Sequence, residues 1–189
     1  TVVASTDVDA AARVQQVYAS EMFRIYTSPD PVGAELGGTL KNVVAIAVGV
    51  CDGLKLGSNA KAALITRAIP EMLRIGVHMG AQVETFYGLS GLGDLLATCD
   101  GTLSRNYCVG YGLAQGKKLD QILGELGSTA EGVNTTHVLI DMANREGIPV
   151  PIARQVHRLL RGVVTPQEAV EGLMERELKP EACDLMAKN

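Results

Sequence analysis

The chain has no tryptophan, and aromatic residues make up only 4% of its 189 positions. A surface that stacks nucleic-acid bases needs such rings, so their scarcity argues against that class. Positive charge is short as well. Seventeen Lys and Arg face 21 Asp and Glu, a formal net charge of −4, whereas polyanion binders are generally basic. No nucleic-acid partner is expected. None of the cysteines at 51, 99, 108 and 183 is in CxxC spacing, and none clusters with His78, His137 or His157. No metal is expected, and four reduced thiols in a cytoplasmic protein are. Long apolar runs are also missing. The uncharged stretch 42–51 is too short for the roughly 20 residues of a membrane span. Residues 1–20 lack the basic start and apolar run of a leader. No membrane insertion is expected.

What remains is a globular composition, 47% hydrophobic and 20% charged, long enough for one domain plus part of another. Thr1-Val-Val-Ala-Ser-Thr6 reads as a strand, although a strand alone has nothing to pair with. Asp7 suits a helix cap ahead of Ala10, Ala11, Val14 and Val17, and Met22 to Thr27 alternates like a strand. Ser28-Pro-Asp-Pro31 is a turn. This opening, 1–27, resembles the end of an α/β domain. From 28 to 189 the pattern is helical. A helix over 32–56 is apolar on nearly all sides and so buried. A second, 60–79, is capped by Ser58 or Asn59 and bent at Pro70. Glycine-rich loops at 88–94 and 127–132 separate helices over 94–99, 104–115, 133–146, 152–161 and 166–176. Thr165-Pro-Gln-Glu168 is a capping box. The last dozen residues carry no clear pattern. The predicted fold class is all-α behind a short strand and helix remnant.

Three clusters could carry chemistry. In Gly37-Gly-Thr-Leu-Lys41-Asn42, both glycines share the helix face of Lys41. Each weakens a helix by about 1 kcal/mol relative to Ala, which implies that space is needed beside the lysine. An amine at the edge of a dry interior suits proton transfer, and the alternative is a lysine snorkelling to the surface. In Gly88-Leu-Ser-Gly-Leu-Gly-Asp94, neither GxGxxG spacing nor a P-loop ending is present. That loop instead turns Asp94 and Thr98, one helical turn apart, toward a cleft, or leaves Asp94 as a plain cap. In Ser104-Arg105-Asn106, Ser104 is an N-cap. Arg105 and Asn106 then join the helix amides in an anion clamp, unless Arg105 merely pairs with a surface acid. Glu131 could cap a helix or accept from a ribose hydroxyl. A lysine, a carboxylate and an Arg/Asn clamp suit a small phosphorylated hydroxy or keto compound.

Tyr26-Thr-Ser-Pro-Asp-Pro-Val-Gly-Ala-Glu-Leu-Gly-Gly-Thr-Leu-Lys-Asn42 resembles a signature of NAD(P)-dependent glycerol-3-phosphate dehydrogenases, the bacterial type in particular. So do Thr85-Phe-Tyr-Gly-Leu-Ser-Gly-Leu-Gly-Asp94, Ser104-Arg-Asn106 and Glu131-Gly132, in the same order along nearly the whole chain. The resemblance implies a helical substrate domain like the C-terminal domain of 6-phosphogluconate dehydrogenase, over 28–189. It also implies reversible reduction of dihydroxyacetone phosphate to sn-glycerol 3-phosphate, a phospholipid precursor.

Carried over residue by residue, Lys41 is the proton acceptor for the C2 hydroxyl, and Asp94 and Thr98 are substrate-side groups. Ser104, Arg105 and Asn106 hold the phosphate, and Arg105, Thr129 and Glu131 contact NAD or NADP. Family members carry an N-terminal Rossmann domain, of which 1–27 resembles the last portion. The chain alone is therefore expected to be inactive and to need that domain as a partner. A second copy of the chain is a further candidate partner. The alternative is a non-enzymatic binding or dimerisation module, with the helix 32–56 packed on a partner chain.

Overall fold

The computed structural model describes residues 1–101, 103–178 and 180; the expected patternless tail and Thr102 lie wholly or mostly outside that set. The first strand finds a partner after all. β1 (Val2–Ala4) pairs in parallel with β2 (Tyr26–Ser28), Val2 opposite Tyr26 and Ala4 opposite Ser28. Parallel pairing requires a crossover, and α1 (Val8–Tyr18) supplies it. Asp7 caps α1 by accepting from the Ala10 amide at 2.9 Å. The strand expected over 22–27 is displaced toward its C-terminal end, because register with β1 starts at Tyr26; Met22 projects into solvent.

α2 (Pro31–Gly53) begins as Pro31 at a first helical position suggests. Its cap is Asp30, which accepts from the Gly33 amide at 2.8 Å. By length and composition α2 could cross a bilayer, but 61% of its apolar window is buried inside the protein. Around it pack α3 (Ser58–His78), α5 (Asp94–Cys99), α6 (Arg105–Ala114), α8 (Glu131–Glu146) and α9 (Pro151–Leu160). The chain's own helices thus cover α2, and the expected docking of α2 on a partner chain loses its basis.

α3 starts at Ser58 with Gly57 as its cap, and neither Ser58 nor Asn59 caps it. Gly57 sits at a φ of +88°, where L side chains are strained, so a glycine takes the position. Pro70 lies inside α3 without ending it. Two short helices escape the sequence pattern, α4 (Val83–Tyr87) and α7 (Leu119–Leu126). The expected glycine loop contains a π-helical turn, Leu89–Gly93, leading directly into α5. α10 (Pro166–Met174) closes the described fold with both bonds of the Thr165/Glu168 capping box in place.

A carboxylate braces α3 against α9. Glu71 is buried in α3, and its two oxygens accept from the Ile152 and Ala153 amides at 2.7 and 3.2 Å. α9 has no side-chain cap of its own, so Glu71 fills that role from 81 residues away. Burial pushes its carboxyl up to about 7, against the two amides and the nearby Arg74 and Arg176, which pull down. A carboxyl raised on folding contributes stability that is fully present below its unfolded value near 4.5 and lost as pH rises through about 7. Unfolding followed between pH 5 and pH 8 should therefore show a loss of up to about 3 kcal/mol from this group. Glu71→Gln should flatten that dependence; an unchanged slope would clear Glu71 of it.

Candidate active site

The centre of the site is an ion pair across two helices. Lys41, midway along α2, places Nζ 2.5 Å from Oδ2 of Asp94, the first residue of α5. Both side chains are partly buried, 19% and 38% exposed. Asp94 is not a plain cap: no side chain caps α5, and its carboxylate faces the lysine. The two glycines before Lys41 do different things. A Cβ on Gly37 would strike the Ser90 carbonyl of the π-helical turn. That close approach seats the turn against α2 and so aims Asp94. A Cβ on Gly38 would come no nearer than 3.9 Å, to Asp94 Oδ2. The room beside the ion pair is at Gly38.

A second carboxylate, not singled out from the sequence, fixes the same segment from behind. Asp30 is buried at the start of α2. One oxygen accepts from the Gly33 amide, and the other from the Gln82 amide and the Thr85 hydroxyl at 2.8 and 2.6 Å. Burial pushes its carboxyl up, but those three donors outweigh burial and hold it below the usual carboxylate range. Asp30 thus pins α4, the element feeding the π-helical turn, to α2.

Asn106 is buried, and its side chain is held on both sides. Its Nδ2 donates to Asn42 Oδ1 at 3.0 Å, and its Oδ1 accepts from the Gly132 amide at 2.8 Å. That leaves one of its two amide hydrogens for a ligand. Asn42, the neighbour of Lys41, carried no signal beyond its place in the motif. A Cβ on Gly132 would meet Asn106 Oδ1 and the Asn42 carbonyl at 2.7 Å, so only glycine lets α8 begin this close to α2. Ser104 caps α6, accepting from the Tyr107 amide at 3.3 Å.

Arg105 is exposed and reaches the Ser128 hydroxyl at 3.5 Å, not a surface acid. The exposed Thr129 follows Ser128, and the exposed Glu131 opens α8. Thr98 is turned inward on its own helix, its hydroxyl donating to the Asp94 carbonyl at 2.6 Å. Below this group, Asp52 accepts from Lys61 Nζ at 2.8 Å and from the Tyr107 hydroxyl at 2.9 Å, tying α2, α3 and α6 together. Burial, with Asp52 alongside, pushes the Tyr107 phenol up to about 12, so it stays a donor.

The geometry therefore unites Lys41 with Asp94 and links their neighbour Asn42 to Asn106. Arg105, Thr129 and Glu131 are all exposed, and Arg105 meets Ser128, the chain neighbour of Thr129. Among the described residues no group of His, Cys, Asp and Glu could hold a metal, and Cys51, Cys99 and Cys108 are unbridged.

The family model for the C-terminus of NAD-dependent glycerol-3-phosphate dehydrogenase matches residues 30–171. The chain belongs to that family. A glycerol-3-phosphate dehydrogenase NAD(P)+ of Acaryochloris marina is 71% identical to this family member over 186 residues, covering 98% of the chain and 60% of the relative. The enzyme of that name from Synechocystis is 67% identical, covering 96% and 57%. The chain thus spans about three fifths of the curated relatives' length. The crystal structure of glycerol-3-phosphate dehydrogenase from Coxiella burnetii superposes with a TM-score of 0.86 at 41% identity, covering 93% of the chain and 55% of that structure. The helical architecture expected from the sequence is that of the C-terminal part of this family.

Proposed function

We propose that this chain is the substrate-binding and proton-transfer half of an sn-glycerol-3-phosphate dehydrogenase in the cytoplasm, interconverting dihydroxyacetone phosphate and glycerol 3-phosphate. The observation that carries the reading is the Lys41–Asp94 pair, coupled through Asn42 to the buried amide of Asn106. Residues 1–27 read as the edge of a dinucleotide-binding domain, and 28–189 as the substrate domain. Supporting this, the β1–α1–β2 unit is parallel and right for the end of such a sheet, and the rest of the described fold is helical.

In this reading Arg105, with the α6 amides and the remaining Asn106 hydrogen, holds the substrate phosphate. The N-terminal end of α6 favours an anion through its exposed amides and dipole. Anchoring the phosphate fixes C2 beside Lys41, the positioning that substrate clamps provide. As the C2 oxygen gains charge, the Lys41 ammonium gives it a proton; in the reverse direction the neutral amine takes the hydroxyl proton. Asp94 orients Nζ, and Gly38 leaves the space that substrate occupies.

A nicotinamide cofactor, when bound, exchanges a hydride at C2. The residues present fit one flank of such a group: Arg105, Thr129 and Glu131 are exposed and would hold it there. No glycine fingerprint for a dinucleotide occurs in the sequence, so the main cofactor site belongs to a further domain.

Arg105→Ala tests the clamp. In a polypeptide carrying this chain behind the N-terminal part of its relatives, KM for dihydroxyacetone phosphate should rise about tenfold or more, with kcat less affected. An unaltered KM would count against this assignment.

A further inference from the structure

The segment 82–94 runs along one face of α2 in matched order. On α2 that face is Asp30, Gly33, Gly37 and Lys41, spaced three, four and four residues apart as a helix face requires. Asp30 accepts from the Gln82 amide and the Thr85 hydroxyl at 2.8 and 2.6 Å. Next along the face, a Cβ on Gly33 would lie 3.0 Å from Thr85 Cβ. One turn further, a Cβ on Gly37 would strike the Ser90 carbonyl and lie 3.3 Å from the Gly91 Cα. The last rung is Lys41 with Asp94. Little slack remains between rungs. A Cβ on Gly91 would strike the Phe86 backbone, so the π-helical turn closes directly on α4.

Capping alone does not call for this arrangement. Asp7 and Ser104 each cap a helix by accepting from a single amide. Asp30 caps α2 with Oδ1, through the Gly33 amide, and gives Oδ2 wholly to the other segment. The carboxylate is buried, and these three donors are neutral. Burying a charge is costly unless strong hydrogen bonds meet it. What this one secures is the register of 82–94 against α2. We propose that Asp30 is a positioning residue for Lys41: with Thr85 it fixes that register, and the register sets Asp94 on the lysine. This rests on the reading of Lys41 as the proton-transfer group. Arg105 and Asn106 belong to α6, outside the four rungs, so the phosphate clamp is a separate construction.

An amine held on a carboxylate acylates slowly. Labelling of the full chain with acetic anhydride, located by mass spectrometry, therefore reads the Lys41–Asp94 pair directly. The exposed Lys55 serves as the internal reference. Lys41 should label at least about threefold faster in Asp30→Asn, whose amide has one accepting oxygen in place of two. Thr85→Val should act in the same direction, and Thr85→Ser, which keeps the hydroxyl, should not. Should Asp30→Asn fail to fold, the two Thr85 variants carry the test. Glu71→Gln removes a buried carboxylate elsewhere and should leave Lys41 at the wild-type rate. In the polypeptide carrying this chain behind its relatives' N-terminal part, Asp30→Asn should lower kcat about ten- to a hundredfold, with KM for dihydroxyacetone phosphate within about twofold. Wild-type labelling in Asp30→Asn would overturn the inference. So would an equal rise in Glu71→Gln, identical labelling in Thr85→Val and Thr85→Ser, or a raised KM with kcat unchanged. If the wild-type polypeptide itself lacks turnover, the dehydrogenase reading falls, and the labelling alone decides whether Asp30 sets the pair.

Discussion

Replacing Lys41 with Ala, in a polypeptide carrying this chain behind its relatives' N-terminal part, should lower kcat about a thousandfold, within the span usual for a general acid–base group. Binding of the cofactor should remain, because the residues proposed to hold it, Arg105, Thr129 and Glu131, include neither the lysine nor its partner Asp94. Lys41→Arg sharpens the test. A guanidinium can still pair with Asp94, but it does not release its proton in the accessible range. A proton-transfer role therefore predicts that Arg fails to rescue turnover. A purely electrostatic role for the Lys41–Asp94 pair predicts substantial recovery. Steady-state kinetics beside a cofactor titration separate these outcomes, and wild-type turnover in Lys41→Ala would remove the lysine from the mechanism.

Gly110→Ala should be the most damaging small substitution for stability. A Cβ there would strike the Ile46 carbonyl oxygen and come within 2.9 Å of the Val50 amide, both backbone atoms of α2. Across the same seam a Cβ on Gly49 would strike the Tyr107 carbonyl of α6. The two helices are in backbone contact, so neither can yield without moving the other, and α2 carries Lys41 while α6 follows Ser104. Overpacking of this kind costs about 3 kcal/mol, a fall of roughly 6–12 °C in Tm for a chain of this size. Gly124→Ala is the control. It lies in α7, and a Cβ there meets nothing within 4 Å. Removing a helical glycine should then stabilise by about 0.5–1 kcal/mol. Equal Tm values for the two variants in thermal unfolding would refute the close-contact account.

The features legible in the sequence are those whose causes lie within a few residues. Pro31 and Ser104 mark the starts of α2 and α6 because caps act over one turn. Asp94 to Cys99 stands out because glycines precede it. α7 is eight residues long with Lys118 at its cap position, and α4 is five; neither offers a cap signal or enough turns to display a period. The π-helical turn reads as a loop because its glycines serve close packing as well as turning. Asp30, Asn42 and Glu71 were illegible for another reason. Their partners lie 52–55, 64 and 81–82 residues away, and nothing local reports such a distance. Glu71 alone leaves a trace, a charge set beside Pro70 and Met72 in an otherwise apolar stripe.

The central position of α2 has a consequence for how the protein is made. Synthesis runs from the N-terminus, so α2 is finished at Gly53 before any of α6, which starts at Arg105, has been translated. A rod that is apolar on nearly every side then waits beside the ribosome for its covering. Its early neighbour is α3; α8 and α9 arrive last. During that interval the nascent chain exposes its stickiest surface, the situation in which growing polypeptides aggregate or recruit chaperones. The helix that carries the proposed proton donor is also the segment most exposed to misassembly during the protein's own birth.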